Sequence, residues 1–343
     1  MDVPVWVWLV TVGVILAMLA VDYVGHVRTP HAPSLREATR WSIAYVAIAL
    51  VFGVVVWVVW GGTYGGEYFA GYITEKSLSV DNLFVFLILM STFAVPRIYQ
   101  QKVLLIGIVL ALVMRGAFIA VGAAAIDAFS WVFYLFGLFL VYTAIKLLRE
   151  SGHEVEAEEK RDSRIVAIAK KILPTTDEYD GDRLVTRIDG KRVVTPLLLA
   201  LVAIGFTDLL FALDSIPAIY GLTEEPYLVF AANAFALMGL RQLYFLIGGL
   251  LDRLVYLSYG LAAILAFIGV KLVLHALHEN TLPFVNGGEH VTVPEISTPF
   301  SLAVILGILV VATVASLIKT RGSSVPATKS SDATPGASNT PDN

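Results

Sequence analysis

Two short stretches of the 343-residue chain carry the residues most able to do chemistry. The first reads Thr74-Glu75-Lys76-Ser77-Leu78-Ser79-Val80-Asp81-Asn82, and the second Thr207-Asp208-Leu209-Leu210-Phe211-Ala212-Leu213-Asp214-Ser215-Ile216-Pro217. Each sets two acids six residues apart in an apolar segment, Glu75 with Asp81 and Asp208 with Asp214. An ionised carboxylate at the centre of a bilayer costs about 2.5–3.5 kcal/mol on insertion scales. Four of them call for compensating charge or a cationic guest. With Asn82, Ser215 and the threonine hydroxyls they form an all-oxygen donor set. Hard divalent cations such as Mn²⁺, Mg²⁺ or Ca²⁺ suit such a set.

The six histidines (26, 31, 153, 275, 278 and 290) fall mainly at span ends or in loops and read as ordinary interfacial residues. There is no cysteine, which excludes disulfides, thiolate zinc sites, Fe–S clusters and a thiol nucleophile. No Walker sequence, nucleophile elbow or His-Glu-x-x-His is present, so the chain gives no support to ATP-driven pumping or proteolysis. No enzyme activity and no permanently bound cofactor are expected. A formal charge of −4 gives no reason to expect a nucleic-acid partner.

The paired acids have a longer context. Arg115 and Arg241 lie inside apolar segments downstream of each pair, followed by Lys146 within Ile-Lys-Leu-Leu and Lys271 within Val-Lys-Leu-Val. These bases could simply brace the acids, but bracing does not require the same six-residue spacing twice. A mixed role follows more naturally: an arriving cation competes with a basic side chain for the carboxylates, and Lys146 and Lys271 serve as gates toward opposite faces. On a regular helix a spacing of six separates side chains by about 120°, whereas Glu75 with Asn82, and Asp208 with Ser215, share a face. The reading therefore expects local unwinding of both segments, aided by Pro217, so that freed carbonyls join the carboxylates. Asp22 and Asp127, near span ends, are expected as hydrated caps, and Glu67 as part of an exposed outer turn.

These groups need elements to hold them. The chain is 57% hydrophobic and 15% charged, against about 25% charged in soluble domains, and its apolar runs are continuous near 20 residues. It is read as an all-α polytopic membrane protein of about nine spans, at 4–24, 41–60, 74–94, 103–122, 128–148, 197–220, 227–248, 256–277 and 299–318. The first is read as a retained helix because no basic residue precedes it. Trp6, Trp8, Trp57, Trp60 and Trp131 fall near interfaces as belt anchors. Of the 24 Lys and Arg, nineteen lie in connections after odd-numbered spans or in the tail; the other five lie within spans. The positive-inside rule then places the N-terminus outside and the C-terminus in the cytoplasm.

Spans 3–5 and 6–8 read as two copies of one three-span unit. An odd number of spans inverts the second copy, as in many secondary transporters. The expected organisation is two N-terminal spans (1–60), a first unit (61–148), a cytoplasmic loop (149–195), a second, inverted unit (196–277), an extracellular loop with the ninth span (278–320), and a disordered cytoplasmic tail (321–343). Within the loop, 151–173 reads as a solvated helix and 177–192 as a turn and short hairpin.

At the paired motifs, Glu75-Lys76-Ser77-Leu78-Ser79-Val80-Asp81-Asn82 and Thr207-Asp208-Leu209-Leu210-Phe211-Ala212-Leu213-Asp214-Ser215-Ile216-Pro217-Ala218, the sequence resembles the TerC family of integral membrane proteins, related to the LysE-type transporter superfamily. The resemblance extends over roughly residues 1–320. It implies export of Mn²⁺ from the cytoplasm across the cell membrane, a link to tellurite resistance, and a role for Glu75, Asp81, Asp208 and Asp214 in handling the ion. Alternating access with proton or ion coupling is the expected mechanism. Export of a cationic amino acid or other small solute, and a non-transport scaffold, are the competing readings.

Overall fold

The computed structural model describes residues 1–27, 33–129, 131–150, 174–176, 178–188, 190–247, 254–280, 293 and 296–320, without the side chains of Asp81, Phe84, Glu150 and Glu279. The helix expected over 151–173, most of the 278–297 connection and the tail from 321 lie outside the described residues.

Ten helices account for nearly everything described. They are α1 (Val5–Asp22), continued by a π-helical turn over Tyr23–Val27, α2 (Leu35–Trp60), α3 (Gly62–Thr92), α4 (Arg97–Ala128) and α5 (Val132–Glu150), then α6 (Pro196–Tyr220), α7 (Pro226–Leu237), α8 (Leu240–Ile247), α9 (Leu257–Glu279) and α10 (Thr298–Thr320). Eight stretches are long and apolar enough to cross a membrane, α7 and α8 together making one of them. The further long helix, α3, has 31 residues, about 46 Å at 1.5 Å per residue. Its length suffices to cross; Glu67, Glu75, Lys76 and Asp81 lower its hydropathy. The protein is an all-α, multi-pass membrane protein.

Local signals start these helices. Ser34 and Glu37 form a capping box at α2, and Pro196 and Pro226 occupy first-turn positions of α6 and α7, where a missing N–H costs nothing. The α7–α8 span is the centre of the bundle, 83% buried, while α2 and α10 are 22% buried and form the rim. Leu9, Val58 and Val311 are exposed on the rim, where a bilayer would solvate them.

Two expectations about helix continuity are corrected. Neither α3 nor α6 is unwound at its motif, and Pro217 falls in the last turns of α6 without interrupting it. The break is in the seventh span instead. Met238 is extended (ψ 134°) and Gly239 takes φ +78°, a left-handed value costly for any residue with a Cβ. A Cβ on Gly239 would also sit 3.1 Å from that of Tyr45.

On the face bearing the basic connections, a hairpin joins β1 (Val185–Ile188) to β2 (Lys191–Val194), slightly later than expected, with Gly181 and Gly190 at positive φ. Lys102 donates to the Asp182 carboxylate at 2.7 Å, and the Tyr179 hydroxyl donates to the Phe93 carbonyl. These bonds strap the hairpin segment to the α3–α4 corner. The Asp182 carboxyl is held below the usual carboxylate range by the Lys102 hydrogen bond.

Candidate functional site

Glu75, Arg115 and Asp208 each sit within about a turn of the midpoint of their helix, so α3, α4 and α6 deliver them to one level of the bundle. Close helix packing makes the meeting feasible. Gly205, one turn before Asp208, lies where a Cβ would approach Leu110 of α4 to 2.6 Å; small residues let spans approach closely. The Arg115 guanidinium grips Asp208 with two bonds, Nε to Oδ2 at 3.2 Å and Nη2 to Oδ1 at 3.0 Å. Nη1 donates to Glu75 Oε1 and to Ser215 Oγ. All four residues are essentially inaccessible.

The cluster holds two acids and one base, a formal charge of −1. One of its acceptors lacks a donor: Glu75 Oε2 is buried with no partner among the described residues, as are the hydroxyls of Thr74, Ser79 and Thr207 in the same two motifs. Buried polar atoms are almost always paired, so an unpartnered carboxylate oxygen in a cluster of charge −1 is suited to accept a cation. Thr74-Glu75 and Thr207-Asp208 are the corresponding dipeptides of the two motifs, and both converge here.

The remaining expected site residues lie elsewhere. Asp214 is half-buried and accepts from Thr143 Oγ1 of α5 at 3.0 Å, with Lys146 nearby. The six-residue spacing turns it about a third of a circle from Asp208, and a continuous helix cannot bring it back. Asn82 is buried two turns beyond Glu75; the Asp81 side chain lies outside the description. Among the described residues, no three His, Cys, Asp or Glu form a group able to hold a metal ion unaided.

Arg241 does not repeat the role of Arg115. Its Nη2 bonds Asp22 at 2.8 Å and its Nη1 bonds Gln101 at 2.6 Å. Asp22, expected as a hydrated cap, is 4% exposed. Its Oδ1 also accepts from Tyr45 at 2.5 Å and Gln242 at 3.2 Å. Burial removed the water such a cap requires, and protein donors replaced it.

Lys271 and Glu67 belong to a different place again. They line a cavity of about 300 Å³ at the face opposite the basic connections, with Thr223, Glu224, His275 and His278 among the other walls. Glu67 lies in α3, not in a turn, and accepts from Thr223 Oγ1 at 2.6 Å. His275 Nε2 lies 2.9 Å from Glu224 Oε1, and this hydrogen bond holds the Glu224 carboxyl below the usual carboxylate range. Two of the histidines thus line a polar vestibule.

Sequence reasoning gave no role to Lys76, whose ammonium donates to the Ala236 and Met238 carbonyls at 2.9 and 3.3 Å. The available signal was Gly239, a residue free to take positive φ in the middle of the seventh span.

Comparison with known proteins places this arrangement. An uncharacterized membrane protein of Mycobacterium tuberculosis is 56% identical over 317 residues, covering 92% of this chain and 80% of that protein. An uncharacterized membrane protein of Myxococcus xanthus is 40% identical over 314 residues, 92% of each chain. A protein of Escherichia coli K12 named putative membrane-bound redox modulator Alx is 38% identical over 270 residues, covering 76% of this chain and 83% of its own. No solved structure matches. The model of the integral membrane protein TerC family matches residues 60–324, both acidic motifs included, and the chain belongs to that family.

Proposed function

We propose that this protein exports a hard divalent cation, Mn²⁺ by its oxygen-only donors and its family resemblance, out of the cytoplasm across the cell membrane. The observation that carries the reading is the Glu75–Arg115–Asp208 cluster: two carboxylates from different helices, one guanidinium, and unpartnered oxygens at mid-span. With a charge of −1 the cluster attracts a cation, but Arg115 occupies the carboxylates. A divalent cation therefore enters by displacing the guanidinium from at least one acid. Arg115 returns when the ion leaves, so the carboxylates are never both bare in the bilayer. That exchange gives two occupancy states of low net charge, −1 without the ion and +1 with it, between which alternating access can switch.

The distribution of Lys and Arg supports an N-terminus outside and a C-terminus in the cytoplasm. The vestibule at Glu67 and Glu224 then opens outward and becomes the exit. Proton coupling is the simplest drive, because carboxylates exchange protons for metal. The relatives named redox modulators invite a redox reading, but this chain has no cysteine with which to run a thiol–disulfide relay.

The test is uptake of radiolabelled Mn²⁺ and of lysine into the same inside-out vesicles. Mn²⁺ accumulation that is lost in Glu75→Gln and Asp208→Asn supports the reading. Lysine accumulation without Mn²⁺ points to an amino-acid exporter, and no flux of either to a scaffold.

A further inference from the structure

The seventh span stops being a helix at its middle. Residues Pro226–Leu237 form its first half, Met238 and Gly239 turn out of helical geometry, and Leu240–Ile247 form its second half. In an unbroken helix the carbonyls of Ala236 and Met238 would accept from the amides of residues 240 and 242. Here they converge on one ammonium, that of Lys76, which reaches across from α3. The C-terminal end of a helix carries about half a negative charge. In transporters with discontinuous spans such ends, with unwound carbonyls, coordinate small monovalent cations. Lys76 stands where that ion would stand.

We propose that the broken end of α7 is a monovalent-cation site that this chain keeps filled with its own tethered ammonium. A free ion could leave; the side chain cannot, so the break holds its geometry whatever the salt. Lys76 is thereby a positioning residue. It follows Glu75 directly in α3, so the ammonium that caps the broken span also fixes the backbone carrying one of the two mid-span carboxylates. An ammonium is close in size to K⁺, which makes K⁺ the natural probe of an emptied site. Nothing in this proposal depends on which cargo crosses the membrane.

The experiment uses the full chain in nanodiscs, melted in N-methylglucamine chloride and in KCl at equal ionic strength without divalent metal. Wild type should melt at the same temperature in both. Lys76→Ala should melt several degrees lower in N-methylglucamine and regain at least half of the loss in KCl, with saturation as KCl rises. Lys76→Met, which fills the space with an apolar chain, should show no regain. Lys76→Ser, whose hydroxyl can share a cation with the carbonyls, is scored in the same way should Lys76→Ala fail to accumulate. Equal melting of the Ala or Ser variant in both salts overturns the proposal. So does K⁺ dependence of the wild type, or failure of both variants to fold when prepared in KCl. Mn²⁺ flux is absent from every readout, so failure here is separable from failure of the export reading.

Discussion

Arg115 and Arg241 occupy corresponding places in the sequence, each inside a span downstream of an acidic pair, and both are almost inaccessible. Their surroundings differ in one decisive respect. Among the described residues Arg241 pairs with one acid, Asp22, and one oxygen of that acid accepts from Tyr45, Arg241 and Gln242 together. Arg115 faces two acids, and one oxygen of Glu75 accepts from nothing described. Among the described residues the first cluster is neutral and one oxygen of its carboxylate takes three donors; the second is negative and leaves one carboxylate oxygen without a donor. A buried guanidinium is therefore not a function in itself. On the export reading, the number of acids around it separates a brace from a receptor.

The largest expected effect is on flux, and it should split along this line. Glu75→Gln or Asp208→Asn should reduce Mn²⁺ uptake into inside-out vesicles to the level of empty ones, because each removes one of two charged oxygen donors. Asp22→Asn should leave most of the flux per folded molecule, because Asp22 bonds Arg241, Tyr45 and Gln242 and neither mid-span carboxylate. Equal losses in all three would erase the distinction between receptor and brace.

Stability should run the other way. Asp22→Asn strands a buried guanidinium, a change that costs about 3–5 kcal/mol when a buried pair loses one partner. Glu75→Gln leaves Arg115 with a bidentate, charge-balanced partner in Asp208, so the folded protein should be at least as stable as the wild type. Thermal melting of the two purified variants in one detergent reads the contrast. Marked destabilisation by Glu75→Gln would mean that the Arg115 cluster is also a brace.

That contrast was only partly legible in the sequence. The spans were readable, because apolar runs near 20 residues and one-sided Lys and Arg leave few other arrangements. The convergence of Glu75 and Asp208 was readable from the repeated Thr-acid spacing. Which base served which acid was not, since pairing across helices depends on rotation and depth that spacing leaves open; Asp22, at the end of the first span, gave no hint of Arg241. The unwinding expected in α3 and α6 falls in the seventh span for a similar reason. Buried carboxylates suggested freed carbonyls beside them, whereas the bundle satisfies the acids with Arg115 and breaks the seventh span at Gly239.

Gly239 offers a smaller perturbation between the two clusters, since the span it breaks leads directly to Arg241. Gly239→Ala forces a Cβ into left-handed geometry, at a cost of about 1–2 kcal/mol, and against Tyr45, which donates to Asp22. The melting temperature should fall by less than in Asp22→Asn, and flux should fall less than in Asp208→Asn. A flux loss as complete as that of Asp208→Asn would show that the break takes part in transport beyond shaping the brace.

The smallest effect should come from the same chemistry placed in water. Lys102 and Asp182 also pair one base with one acid, but their side chains are 28% and 46% exposed, and exposed pairs contribute about 0–1 kcal/mol. The Lys102 hydrogen bond holds the Asp182 carboxyl below its unfolded value. Its stabilisation is therefore fully present above that unfolded value, about 3.9, and is lost as pH falls through the lower folded one. Asp182→Asn should thus lower the melting temperature slightly at pH 7, with the gap to wild type closing only under strongly acidic conditions. Added salt should narrow the gap at pH 7, since exposed pairs are screened, and should leave the Asp22→Asn deficit almost untouched. If salt reduced both deficits equally, water would be reaching Asp22 and Arg241, and the neutral cluster would owe its strength to something other than burial.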